Sequence, residues 1–132
     1  SALHRPTAYL EIIISSILLN TGYVLIIYET FLGMGFDEKY HLGGAAALVI
    51  MAISSIGVIA PTPGAAGSYH LFFSKALHQL YFVPLNAALA CATLAHALAT
   101  LTYIIIGGPA LLWQWLQNRK SKEQVYPLSN RL

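Results

Sequence analysis

Charge is the scarcest property of this sequence. Seven Lys or Arg and five Asp or Glu make up 9% of its 132 residues, where a soluble domain carries about 25%. So few polar groups cannot cover a globular surface in water, and with 57% hydrophobic residues the composition is that of a membrane protein. Cysteine is nearly absent as well. Cys91 stands alone, which excludes a disulfide within the chain and leaves the redox compartment unread. No arginine-rich or aromatic-interleaved basic face precedes the tail, so the composition gives no support to a nucleic-acid partner. A phosphate loop and a nucleophile elbow are missing. With no paired acid and base and no metal-ligand spacing in their place, an enzymatic activity has no support. The chain opens at Ser1 without the charged n-region, short apolar stretch and small-residue cleavage site of a secretory signal. It reads as a processed or partial chain.

Long apolar runs are what the sequence has instead. The first, Tyr9 to Leu32, follows Arg5-Pro6, where proline suits a helix start, and is closed by Gly33-Met34-Gly35. It is long enough to cross a bilayer with some tilt. A second run, Leu42 to Ala60, is apolar apart from Ser54 and Ser55 and just reaches spanning length. Then comes Pro61-Thr62-Pro63-Gly64-Ala65-Ala66-Gly67-Ser68-Tyr69-His70, backbone that cannot stay helical at the end of a membrane segment. Irregular backbone at depth survives only where protein buries it or where it lines a wet cavity. This break is therefore a candidate site as well as a turn.

From His70 to Phe82 a helical wheel gathers His70, Ser74, Lys75, His78 and Gln79 on one half and Phe72, Phe73, Ala76, Leu77 and Leu80 on the other. A helix this short and amphipathic fits an interfacial or re-entrant position. The third span, Leu85 to Gly107, starts after Pro84 and stops at Gly107-Gly108-Pro109. A short helix, Ala110 to Gln117, follows, with Trp113 and Trp115 at headgroup level. The fold expected is thus all-α, with about three transmembrane helices (9–32, 42–60 and 85–107) and an interfacial helix (70–82) in a module over 1–118. A basic, polar and partly disordered tail over 119–132 completes it. With three crossings, the tail shares a face with the Asp37 loop, and that face then carries five of the seven Lys and Arg. The positive-inside rule makes it cytoplasmic.

Few polar side chains sit inside these runs. Glu11 and Glu29 lie on one face of the first helix, about 27 Å apart along its axis, one at each water interface. That is too far for a shared proton or ion, so they read as anchors that set the depth of the span. Asn20 falls midway between them, at the most apolar depth, where an amide hydrogen-bonds a neighbouring helix or contacts a substrate. On the third helix Ala88, Ala92, His96 and Thr100 recur every four positions, as do Ala87, Cys91, Ala95 and Ala99. Such stripes let helix backbones approach closely. They place His96 on a packed face, able to bond another helix, relay a proton, or ligate an iron or magnesium tetrapyrrole axially. His70 and His78 are about 12 Å apart along a helix axis, too far to chelate one metal. Gly64-Ala65-Ala66-Gly67 ahead of a helix offers backbone N–H groups to an anion such as a lipid phosphate, with His70, Lys75 or His78 beside it.

The apolar helix, the element Pro61, Pro63, Gly64, Gly67, the amphipathic helix and a small-residue helix ending in Tyr103-Ile104-Ile105-Ile106-Gly107-Gly108 resemble together the flippase-like, lysylphosphatidylglycerol synthase transmembrane-domain family. Members carry Pro-x-Gly-Gly-x-Gly at this place. Here Ala65 replaces the second Gly, and Tyr69-His70 stands where many members have an acidic residue. The resemblance covers Tyr9 to Leu112, and the family domain is longer, so the chain looks like its C-terminal part. It implies a bacterial cytoplasmic membrane protein that handles lipid headgroups, with no required cofactor and no synthase catalytic domain. The expected contacts are Pro63, Gly64, Gly67, Tyr69, His70 and Lys75, with Asn20 and His96 as interior polar groups. The alternative expectation is a small accessory subunit of a larger membrane assembly, such as a photosynthetic or respiratory one, packing against partner helices, lipids or pigments.

Overall fold

The computed structural model describes residues 6–59 and 66–129. Pro63, Gly64 and the rest of the break at 60–65 lie outside the described residues. All regular structure among the described residues is helical: α1 (Pro6–Gly33), α2 (Phe36–Tyr40), α3 (Gly44–Val58), α4 (Ala66–Tyr81), α5 (Leu85–Thr102), a π-helical segment (Tyr103–Gly107) and α6 (Gly108–Ser129). Two of these helices, Thr7–Gly33 and the continuous stretch Leu85–Arg119, are long and apolar enough to cross a membrane. The chain divides into two compact units, Ser1–Leu98 and Ala99–Leu132.

The second apolar run makes a shorter helix than its composition predicts. Leu42 and Gly43 belong to a turn, so α3 keeps fifteen residues, about 22 Å of helix against a hydrocarbon core of about 30 Å. In the first unit α3 packs against both α1 and α4. The core is apolar and drawn from every helix of the unit, with Phe31, Leu42, Ile50, Phe73, Leu77 and Val83 fully buried. Ala88, Cys91, Ala92 and Ala95 bring the first part of α5 onto it. About the first four turns of α1 take no part: Leu10, Ile13, Ile17, Leu18 and Leu19 are exposed, on all sides of the helix.

Hydroxyls inside the apolar helices are satisfied locally. Thr30, Ser54 and Ser74 are buried, and each donates to the carbonyl four residues earlier, of Ile26, Ile50 and His70, at 2.7, 2.6 and 2.7 Å. This back-bonding removes the cost of a lone donor in an apolar interior. It also corrects the helical wheel of α4, where Ser74 joins the buried face instead of the polar one.

Two helix ends are closed by the same device without glycine. After α2, His41 is left-handed at φ 55° and the Leu42 N–H bonds the Phe36 carbonyl at 3.3 Å. After α4, Phe82 is left-handed at φ 57° and the Val83 N–H bonds the Leu77 carbonyl at 3.3 Å. Both are six-to-one closures of the Schellman type, and in both the next residue, Leu42 or Val83, is fully buried and pins the turn hydrophobically. The predicted helix 70–82 is therefore shifted. It starts at Ala66 and ends at Tyr81, with Phe82 as the cap.

In the second unit the expected stop at Gly107-Gly108-Pro109 is passed. Pro109 has no N–H for the Ile105 carbonyl and its ring crowds that oxygen. The helix widens into a π turn over Tyr103–Gly107 and continues as α6 through Ser129, so neither the short helix 110–117 nor an irregular tail from Arg119 is found. Lys120, Lys122, Glu123 and Gln124 are good helix formers. Trp113 and Trp115 are exposed, and the Arg119 guanidinium lies 4.5 Å from the centre of the Trp115 ring.

The tightest point of the first unit is Gly57, where a Cβ would meet the Ser68 carbonyl oxygen at 2.8 Å and its carbon at 2.9 Å. Backbone cannot yield as a flexible side chain can, so Gly57→Ala is expected to destabilise the fold by about 1–3 kcal/mol. Gly67→Ala, whose added carbon meets nothing within 4 Å, should be neutral or gain up to about 1 kcal/mol. Phe82→Gly releases a left-handed aromatic that is 84% exposed and should stabilise by about 1 kcal/mol. Denaturant titration of helicity in micelles measures all three.

Candidate functional site

The candidate site forms where the start of α4 meets the middle of α5. Two features put it there. The close approach at Gly57 sets the first turn of α4 against the end of α3. The Phe82–Val83–Pro84 corner then turns the chain back, and Tyr69 and His96 lie about equally far from it along their helices.

Three polar rings converge as a result. The Tyr69 and His96 ring centres are 5.3 Å apart, His70 and His96 are 5.3 Å apart, and Tyr69 and His70 are 5.7 Å apart. Phe73, one turn further along α4, lies 5.5 Å from Tyr69 and is fully buried, giving the group an apolar floor. The three polar rings are half-buried, so their edges remain within reach of a ligand from outside. Burial, with a smaller push from Cys91, holds the Tyr69 phenol well above its ordinary 10.0. It stays neutral and keeps its O–H as a donor. The cluster can thus offer a phenol and imidazole edges to a phosphate or hydroxyl group. Among the described residues no three His, Cys, Asp or Glu side chains converge as a metal-binding group.

The other expected contacts lie elsewhere. Lys75 is exposed on α4, outside this set of rings. Gly67 is exposed and unconstrained by any neighbour. His78, which the sequence offers as a phosphate contact, has a structural task. Its Nδ1 is 2.9 Å from the Val83 carbonyl oxygen, and since that oxygen only accepts, the Nδ1–H donates and ties the α4–α5 corner. Asn20 lies in a separate open groove of about 580 Å³ between α1 and α3, exposed, with its amide donating to the Ser16 carbonyl at 2.8 Å.

Two residues that matter here were not singled out from the sequence. Phe73 reads as one more apolar residue of α4. Gly57 reads as part of an apolar run, yet glycine inside a helix costs about 1 kcal/mol against alanine, and that cost is a signal of close packing.

Tyr69 touches all three other rings, and aromatic pairs of this geometry contribute about 0.5–1.5 kcal/mol each beyond burial. Tyr69→Ala should therefore lower stability by about 2–4 kcal/mol, whereas Tyr69→Phe keeps the rings in place and should cost under about 1 kcal/mol. Thermal unfolding in detergent checks both. Comparison of the chain with protein-family models, with curated proteins and with solved structures gives no match in any of the three.

Proposed function

We propose that the chain is an integral membrane module that holds a lipid headgroup at the start of α4, with Tyr69, His70 and His96 as its polar contacts. The observation that carries this reading is the convergence of those three rings, from two helices, at half-buried positions. In this reading α1 and the long helix from Leu85 cross the bilayer, and α4 is re-entrant, folding back from the Phe82 corner alongside the first half of α5. A glycerophospholipid then presents its phosphate to the rings and the α4 N-terminus, while its chains lie along exposed apolar residues such as Leu71 and Phe72. A phenol O–H and imidazole N–H groups donate hydrogen bonds to a phosphate. Recognition of that kind suits a site that takes up and releases lipid, as a flippase-like module does.

A second reading, a non-catalytic accessory subunit of a larger membrane assembly, rests on a different observation. The first half of α1 exposes apolar residues on every side, among them Leu10, Ile13, Ile17, Leu18 and Leu19, with no cover from the other described residues, as a helix wedged between partner helices would. Extraction in mild detergent separates the two, since a subunit leaves the membrane with its neighbours and a lipid-handling module leaves with itself and lipid.

The headgroup reading is tested with a photoactivatable phosphatidylglycerol in vesicles holding the full chain. Adducts should concentrate within 66–73 and 93–99, and His70→Ala with His96→Ala should reduce them by about tenfold, the loss of one or two hydrogen bonds to a charged group. Labelling spread evenly along the helices, or unchanged in the double variant, would sink the proposal.

A further inference from the structure

The midpoint of α1 carries a polar group that the chain itself does not cover. Asn20 is equidistant from both ends of Thr7–Gly33, about 20 Å from either, and so sits at the centre of the bilayer when the helix crosses. It is exposed. One amide N–H goes to the Ser16 carbonyl at 2.8 Å, whereas the neighbouring Thr21 hydroxyl satisfies itself completely as a donor on the Ile17 carbonyl at 2.8 Å. A carboxamide has two donors and two acceptor lone pairs. Hydrocarbon can take none of the remainder, and a polar group left alone there costs several kcal/mol.

We propose that this face of α1 is the interface of a homodimer, in which two copies pair their Asn20 amides across a two-fold axis. Three features favour a second copy as the occupant. A carboxamide is self-complementary, so the same side chain can donate and accept on both sides of a two-fold axis, as an isologous interface requires. Asn20 stands in an open groove rather than on a convex ridge, and the far wall of that groove starts with Gly44 and Ala45, where another helix backbone can come close. Of the rest of the wall, Ile17, Val24, Leu48 and Met51 are apolar and give the packing contact around the amide pair, while Ser16 and Thr21 flank Asn20 on α1. Interhelical hydrogen bonds of this kind strengthen association in a membrane by about three- to thirtyfold.

Sedimentation equilibrium of the full chain in detergent micelles, with native mass spectrometry alongside, tests the inference. A concentration-dependent dimer is expected. Asn20→Leu should weaken it about three- to thirtyfold, Asn20→Gln should largely keep it, and Ala45→Trp, which fills the groove, should weaken it too. Circular dichroism should show unchanged helicity in each variant, since both positions are exposed. His70→Ala should leave the dimer intact, so failure here and failure of the headgroup site are distinguishable. A wild-type chain that stays monomeric at every concentration overturns the inference. So does an Asn20→Leu dimer as tight as the wild type, or a monomer that holds a lipid in the groove and loses it on Asn20→Leu.

Discussion

The backbone contact between Gly57 and Ser68 is the constraint on which the rest of the first unit depends. A Cβ at position 57 would stand 2.8 Å from the Ser68 oxygen, so the end of α3 and the start of α4 are held at a distance only glycine permits. That contact decides where Tyr69 and His70 begin, one and two residues further on. The α4–α5 corner decides where His96 arrives. Were α3 and α4 pushed apart by a side chain, the three rings would lose their shared location even with every residue of the site intact. Between helices in a bilayer, lipid tails as apolar as the side chains supply no dehydration force, and there close packing of this sort carries the association.

The second constraint is that each polar group at depth must find a partner, and the chain meets it mostly within single helices. Thr30, Ser54 and Ser74 turn back on their own carbonyls, and His78 is used to tie the corner after α4. These residues look functional by composition and are structural by geometry. The left-handed residues are bound into the same economy. His41 and Phe82 take a conformation that costs about 1–2 kcal/mol in a non-glycine residue, and each is followed by a fully buried apolar residue whose packing offsets that strain.

Much of this architecture was legible in the sequence, and the parts that were not share a physical cause. Apolar runs bounded by Pro and Gly pointed to α1, α3 and α5, because helix starts and stops are local events. The small residues Ala88, Cys91, Ala92 and Ala95, now buried in the core, were visible as a repeat of four. What local reading missed was tertiary. It took Gly107-Gly108-Pro109 as a stop, since proline removes a hydrogen bond, but one π turn re-registers the ladder and the helix goes on. It placed Ser74 on the wet face of α4 because a hydroxyl is polar, although a back-bonded hydroxyl packs as a small apolar group. It named Tyr69, His70 and His96 as separate polar contacts without a reason for them to meet, because their meeting depends on the Phe82 corner, and nothing in a Phe residue announces a left-handed cap.

Asn20 and His96 show how the same hydropathy can serve different ends. Both are polar side chains near the middle of apolar helices. His96 is half-buried and lies against two rings of its own chain, so its polarity is used in shaping a site. Asn20 is exposed and spends one N–H on its own helix, so the rest of its bonding capacity is directed outward. In water that difference would mean little, because solvent satisfies whatever the protein leaves over. With α1 placed in a bilayer as proposed, it separates a residue that shapes the candidate site from one that pairs two copies. The polar groups of a membrane chain are thus sorted by what surrounds them rather than by residue type, and the structure makes that sorting visible where composition treats the two alike.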